Sequence, residues 1–247
     1  MTTARGPQRV DGWTAAVRQR LGLGRLLPLG GPADGAWIAE TAAAAVLRGA
    51  TARPGTVLGK LRIGPTEEAV EAAVAGSRDA TRDPAEPVPP PAPPNALPPV
   101  SLRIEAEFST TPDRPLPAAA AALRAALLAA ATTRLGLEIA EVDLTVIALL
   151  EDGTPDQVTT PETAPAARGA EPEGAVATAA ARVPGVVSLT RVLGGPVHTA
   201  PDHVRVEVAT AGDHRALDVA RSVRTAVAAA MEDRLPVSVL VTDVVSR

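Results

Sequence analysis

Three histidines, His198, His203 and His214, share one stretch of the 247-residue chain with Asp202 and Asp213, and imidazole with carboxylate is a donor set that a divalent metal takes. Paired ligands on a helix recur three or four residues apart on one face, and these do not. "HTAPDH" reads instead as a turn before a strand, so the set is assigned to solvent-exposed turns. Ser188, Ser222 and Ser238 lie in strand or helix patterns without the G-x-S-x-G elbow that presents a nucleophile. Glu105 and Glu107 leave one strand on the same side, as an acid–base pair would, but Arg103 beside them marks a solvated sheet face. "RLGLGRLLPLGG", Arg20 to Gly31, is glycine-rich, yet it lacks the Gly-Lys-Ser/Thr ending of a phosphate loop and follows no strand, so it reads as a structural loop. The sequence leads to the expectation of no catalytic residue, no metal, no cofactor and no enzyme.

A different kind of chemistry is available near the start. Asp11 can cap a short helix on which Trp13, Val17 and Leu21 recur every fourth residue while Arg18 and Arg20 point elsewhere. With Arg25 this makes a basic, Trp-bearing amphipathic segment, and Trp13, Arg18, Arg20 and Arg25 are the candidates for docking on a partner or an anionic surface. The competing assignment packs Trp13 and Leu21 on the folded body, because Gly22 and Gly24 cut the helix short.

Composition narrows the classes further. Hydrophobic residues make up 46%, but Ala dominates them and aromatics reach 1% (Trp13, Trp37, Phe108), which implies thin cores of Ala, Val and Leu. The absence of Cys excludes disulfides, thiolate metal sites and a cysteine nucleophile together. The N-terminus has no apolar stretch of signal-peptide length, and the Ala-rich run from Pro115 to Ala131 contains Arg124, so neither a signal peptide nor a transmembrane helix is read, and the chain is expected in the cytoplasm. Net charge is −4, against a nucleic-acid binder with a basic face. That charge is uneven: residues 1 to 64 carry nine basic and three acidic side chains, whereas residues 65 to 100 and 151 to 185 are each net −4.

The elements that carry these residues are written twice. "LRIEAEF" from Leu102 alternates Leu102, Ile104, Ala106 and Phe108 against Arg103, Glu105 and Glu107; "VRVEVATA" from Val204 alternates Val204, Val206 and Val208 against Arg205 and Glu207. A helix follows in each copy, and one offset of 100 residues aligns Leu123 with Val223, Leu127 with Val227 and Ala130 with Ala230. The spacing puts Ala120, Leu123, Leu127 and Ala130 on one stripe. Closing strands follow as "VDLTV" and "VSVLV". Upstream, each copy has a short helix, a Pro-Gly turn and a strand: "WIAETAAAAVLRG", Pro54-Gly55 and "VLGKLRI", then "AVATAAARV", Pro184-Gly185 and "VVSLTRVL".

The predicted fold is therefore α+β, two small domains of helix-strand-strand-helix-strand order, each a three-stranded sheet with helices on one face and a polar outer face, joined by a disordered linker. The expected boundaries are a basic N-terminal segment at 1–36, a first domain at 37–150 with an insertion at about 65–99, an acidic linker at 151–173 and a second domain at 174–247. Within the insertion, "DPAEPVPPPAPPNALPP" is Pro-rich and is expected to stay extended and out of any core. The outer-face residues Arg103, Glu105, Arg205 and Glu207 are candidates for an interface between the two copies, or for two wet sheet faces.

This pattern resembles the alkaline shock protein family, cytoplasmic envelope stress response proteins of Gram-positive bacteria. In the second copy "VPGVVSLTRVLGG" is similar to the family's turn and first strand, and "ALDVARSVRTAVAAAMEDRLPVSVLVTDVV" to its long helix and closing strand. Coverage is residues 174 to 247, with residues 37 to 64 and 100 to 150 as a second, split copy. Thr56 stands where the family has valine after Pro-Gly, and the second copy is about five residues short before its closing strand. The opening "GWTAAVRQRLGLGRLLPLGGPADGAW" resembles uncharacterised actinobacterial proteins carrying a label borrowed from a nucleopolyhedrovirus fibrous-body family, a label without mechanistic content. What the stress-family resemblance implies is a non-enzymatic, self-associating scaffold held peripherally at the inner face of the membrane by a small membrane-anchoring partner or other envelope proteins. The alternative from another class is a single-stranded nucleic-acid binder using an exposed sheet, which requires aromatic platforms or a basic groove.

Overall fold

Alternation in "LRIEAEF" becomes strand β4 (Leu102–Thr110), which buries Leu102, Ile104, Ala106 and Phe108 and leaves Glu105 exposed. The computed structural model describes residues 22–76, 90–150 and 169–246. Within them the chain is mixed α+β, with two sheets and five helices.

The smaller sheet has β4 at its centre. β3 (Thr56–Pro65) pairs with it antiparallel and β5 (Ile139–Leu149) parallel. Parallel neighbours need a crossover, supplied here by α3 (Leu116–Ala130), which buries Ala119, Leu123, Leu127 and Ala130 and ends in a π turn, Ala131–Leu135. The buried stripe is the predicted one, with Ala119 as its first buried residue and Ala120 half-buried.

The larger sheet has seven strands. In its middle β7 (Val186–Thr190) pairs antiparallel with β9 (Val204–Ala211), which pairs parallel with β10 (Val237–Val245). The crossover from β9 to β10 is α5 (Ala216–Ala229), flanked by α4 (Gly174–Ala181). Two very short strands, β6 (Gly169–Ala170) and β8 (Val197–Thr199), add to β7 and β9. On the far side β2 (Ala36–Ala39) pairs parallel with β10 and antiparallel with β1 (Leu26–Leu29).

That last hairpin corrects two expectations. Leu26 to Leu29 form a strand where a loop was expected, and Trp37 to Ala39 are strand where a helix was expected; the helix α1 (Glu40–Thr51) starts only at Glu40. All eight hairpin residues are buried. Both strands are covered on both faces and are apolar throughout, so they show no alternation, and pairing with β10 overrides local preference. The sheet is accordingly wider than the expected three strands.

Two further expectations change. Pro90–Pro99 is docked: Ala96 bridges to Leu26, the Leu97 N–H reaches the Leu26 carbonyl at 2.8 Å, and Pro93 is buried. The stretch between β3 and β4 opens with α2 (Glu67–Gly76), capped by the Thr66 hydroxyl, which accepts from the Ala69 N–H at 3.1 Å. The end of the expected linker, Gly169–Ala170, is the strand β6; its first eighteen residues, 151–168, and the insertion's 77–89 lie outside the described residues.

One continuous hydrophobic cluster runs through both sheets. α1 packs on β10, β3 and α3, so it belongs to both layers. The π turn abuts the start of α5: Arg134 donates to the Gly212 carbonyl at 3.2 Å, and Arg215 to the Thr132 carbonyl at 2.9 Å. Gly136 there has φ +91°, and a Cβ on it would stand 2.5 Å from the Leu217 Cβ, so only glycine fits the contact.

Candidate functional site

The polar groups that matter most in this molecule sit at joints. Glu40 follows β2 without a loop and opens α1, which aims its carboxylate at the free side of β3. Oε1 accepts from the Ile63 N–H at 3.1 Å and from Arg25 Nη2 at 3.3 Å; Oε2 accepts from Arg25 Nε and from the Arg25 backbone N–H, both at 3.3 Å. Arg25 Nη2 also donates to the Ile63 carbonyl at 2.6 Å, and Arg62 Nε lies 3.7 Å from Oε1. Gly24, at φ +66°, lets the chain pass Glu40, because a Cβ there would meet Glu40 Cβ and Oε2 at 3.1 Å. Burial pushes the Glu40 carboxyl up, but the Arg25 and Ile63 hydrogen bonds outweigh it and hold the group below the usual range. Glu40 is thus a charged acceptor at neutral pH, suited to pinning three elements and unsuited to giving a proton.

Asp34, in the 3-10 turn Pro32–Asp34 between β1 and β2, is the second joint. Arg221 of α5 binds it in bidentate fashion, Nε to Oδ1 at 2.8 Å and Nη2 to Oδ2 at 3.0 Å, and Asp34 Oδ2 accepts from the Gly31 N–H at 2.9 Å. The Arg221 hydrogen bond is the main cause that lowers the Asp34 carboxyl, against the opposing effect of burial, and it raises the Arg221 guanidinium in return. Arg224 donates to the Ala33 carbonyl beside it.

Glu207 of β9 is the third. Its carboxylate is fully buried and accepts from the Val192 N–H at 2.6 Å and the Leu193 N–H at 3.1 Å, with Arg205 Nη2 at 3.6 Å. It therefore fixes the bend between β7 and β8. Arg205 is 7% exposed, and its Nε has no hydrogen-bond partner among the described residues.

These positions decide where the sequence-predicted residues fall. Arg205 and Glu207, expected on an outer face as either an interface between the copies or a wet surface, are buried, because the bend from Arg191 to Pro196 folds onto that face. Arg103 and Glu105 do lie on an outer face, 2.8 Å apart, with Asp143 and Glu67 also within ion-pair distance of Arg103. The structure does not bring the two Arg-Glu pairs together: one is a mixed surface cluster, the other is interior. Arg25 is committed inward to Glu40, while Trp13, Arg18 and Arg20 lie outside the described residues. His203 and His214 pair with their preceding aspartates at 2.8 and 2.9 Å on the surface, and among the described residues no group of three His, Asp or Glu side chains is placed to hold a metal.

Sequence reasoning passed over Glu40 and Asp34 because each is a lone acid in a basic stretch. The usable signal was that same solitude: three acids among nine bases in the first 64 residues must find partners if the segment folds. Comparison of the chain with family models, curated proteins and solved structures finds no match.

Proposed function

We propose that this chain is a non-enzymatic interaction protein built from two copies of one helix-strand-strand-helix-strand unit, acting through protein partners in cell-envelope homeostasis near the inner face of the membrane. The observation that carries the two-copy reading is the shared strand arrangement: β3-β4-β5 and β7-β9-β10 each run antiparallel then parallel, with a helix crossing to the last strand. Each first strand follows a Pro-Gly turn whose glycine is left-handed, Gly55 at φ +75° and Gly185 at φ +88°. The envelope role rests on the resemblance to the alkaline shock proteins, and the engagement of Glu40, Asp34 and Glu207 in internal ion pairs and backbone hydrogen bonds supports a framework role for them.

The single-stranded nucleic-acid reading gains no support from the described sheets, since Phe108 and Trp37 are buried and the outer face around Arg103 carries Glu105 and Asp143. The test is a pull-down of tagged full-length protein from gently solubilised membranes, against a variant lacking residues 1–21. The deletion must stop there because Leu26 begins β1. Recovery of a small membrane protein by the full chain is expected; a chain that stays soluble and brings down nucleic acid, or nothing, defeats the envelope reading.

A further inference from the structure

Sheet edges expose unpaired backbone groups and are closed in most proteins. In the larger sheet one edge, β1, is covered by Ala96 and Leu97, and the other ends in β6 and β8, two and three residues long. In the smaller sheet the β3 edge is closed by side chains: Glu40 and Arg25 take the Ile63 N–H and carbonyl, and Arg48 Nη1 takes the carbonyls of Leu58 and Gly59 at 3.1 and 2.7 Å.

The eleven-residue β5 is different. The Leu102 N–H bonds the Glu138 carbonyl and the Leu150 N–H bonds the Thr110 carbonyl, which sets the register so that Glu141, Asp143 and Thr145 turn their backbone groups to β4. Val142, Leu144 and Val146 turn theirs away. Arg124 Nε covers the Val142 carbonyl at 3.3 Å; beyond it no other hydrogen bond closes this edge among the described residues. Side-chain exposure agrees. Six large hydrophobics are exposed among the described residues, and four of them, Leu116, Val146, Ile147 and Leu149, gather at the end of β5 and the start of α3.

We infer that β5 is the dimerisation strand, pairing antiparallel with β5 of a second copy to make one continuous six-stranded sheet. A dyad through Leu144 matches the strand to itself. Leu144 meets Leu144 of the second copy and Val142 meets Val146 on the helix side; Asp143 meets Thr145 and Glu141 meets Ile147 on the outer side, so no acid directly faces an acid. Each Asp143 keeps Arg103 at 3.8 Å. Beside the strand, α3 offers Ala121 and Ala125, small enough for two helices to approach. Twenty residues of α3 and its π turn at ~1.5 Å each span ~30 Å. With a strand-plus-helix layer ~20 Å deep, that is ~600 Å² per copy, the lower end of specific interfaces.

Light scattering and sedimentation of the full-length chain test this. Two chains of 25.0 kDa each are expected in the particle. Val146→Pro removes an outward N–H and leaves the β4 ladder intact, so it should halve the mass with unchanged circular dichroism. Because the chain has no cysteine, Leu144→Cys gives a second readout that does not depend on the proline variant folding. Facing residues with ~5.5 Å between Cα atoms are within disulfide reach. Mild oxidation should cross-link Leu144→Cys to itself and leave Val57→Cys, on β3, uncross-linked. A wild-type particle of one chain at the highest soluble concentration, as expected if another protein's strand is the real occupant, overturns the inference. So does equal cross-linking of the two cysteine variants.

Discussion

The same words, Arg-x-Glu on an alternating strand, mean opposite things in β4 and β9. In β4 the pair Arg103 and Glu105 stands on a sheet face open to water, with Glu105 55% exposed along its side chain. In β9 the pair Arg205 and Glu207 is interior, with Glu207 at 0%. The difference lies not in the strand but in the segment that packs against it. The bend between β7 and β8 folds onto β9 and needs an acceptor for its N–H groups, whereas the segment between β3 and β4 leads away to dock beside β1. A strand written twice thus serves once as a surface and once as a core.

Replacement of the two glutamates is the sharpest way to break this contrast. Glu207→Ala takes the carboxylate away from the Val192 N–H at 2.6 Å and from the buried Arg205 guanidinium, a loss of about 3–5 kcal/mol. Glu105→Ala removes an exposed partner and should cost about 0–1 kcal/mol. Urea unfolding midpoints of the two variants measure the gap; similar shifts would mean that the β9 face is wet after all.

The Pro-Gly turns offer a second matched pair. A Cβ on Gly185 would meet Val219 Cγ2 at 2.6 Å and the His214 ring at 3.0 Å, while on Gly55 it would meet the Thr111 hydroxyl at 2.7 Å. Both glycines are left-handed, so each alanine variant carries about 1 kcal/mol of backbone strain. The threonine can rotate aside, but the branched Val219 on a packed helix cannot. Gly185→Ala should therefore lose about 1–3 kcal/mol more than Gly55→Ala in thermal unfolding.

These cases also mark how far the sequence could be followed. Alternation of apolar and polar residues revealed β4, β5, β9 and β10, and three-and-four spacing the stripe of α3; in β4 that alternation matches one covered face, whereas in β9 all eight residues are buried. Periodicity missed β1 and β2, whose eight residues are apolar throughout and therefore carry no alternation. It missed the burial of Glu207 for a related reason: alternation reports a strand's two sides but not whether a loop closes the second. Of the polar joints, Arg25, Arg205 and Glu207 stand out in the sequence, and the pattern of each points outward, since nothing local ties Arg25 to Glu40 fifteen residues on or Glu207 to the bend at Val192.

Acid should separate the joints from the surface. Folding holds the Glu40 carboxyl below its ordinary value, since its hydrogen bonds to Arg25 and Ile63 outweigh burial, and it holds Asp34 low chiefly through Arg221. A depressed carboxyl stabilises the fold fully above its unfolded pKa, about 4.3 for Glu, and loses that contribution as pH falls through the lower folded value. Stability should therefore be flat at neutral pH and fall below about pH 4. Glu40→Gln is expected to be less stable by about 1–3 kcal/mol at pH 7 and to show a shallower fall in acid. An unchanged acid slope would remove Glu40 from the joints.

Arg221 gives the smallest effect among the joints, and it tests whether a joint at the surface differs from an ordinary surface cluster. Its guanidinium is half exposed, so Arg221→Ala should cost about 0.5–1 kcal/mol, less in high salt. Arg103, by contrast, divides itself among Glu105, Asp143 and Glu67 at 2.8, 3.8 and 3.6 Å, without bidentate geometry to any of them. Double-mutant cycles can compare Arg221 with Asp34 and Arg103 with Glu105. A fixed fork between two elements should couple more strongly than a side chain shared on one face, because the fork loses less rotamer freedom per bond formed. Equal coupling in the two cycles would make the Asp34 turn one more exposed ion pair, and the attachment of the β1–β2 hairpin would then rest on its buried strands alone.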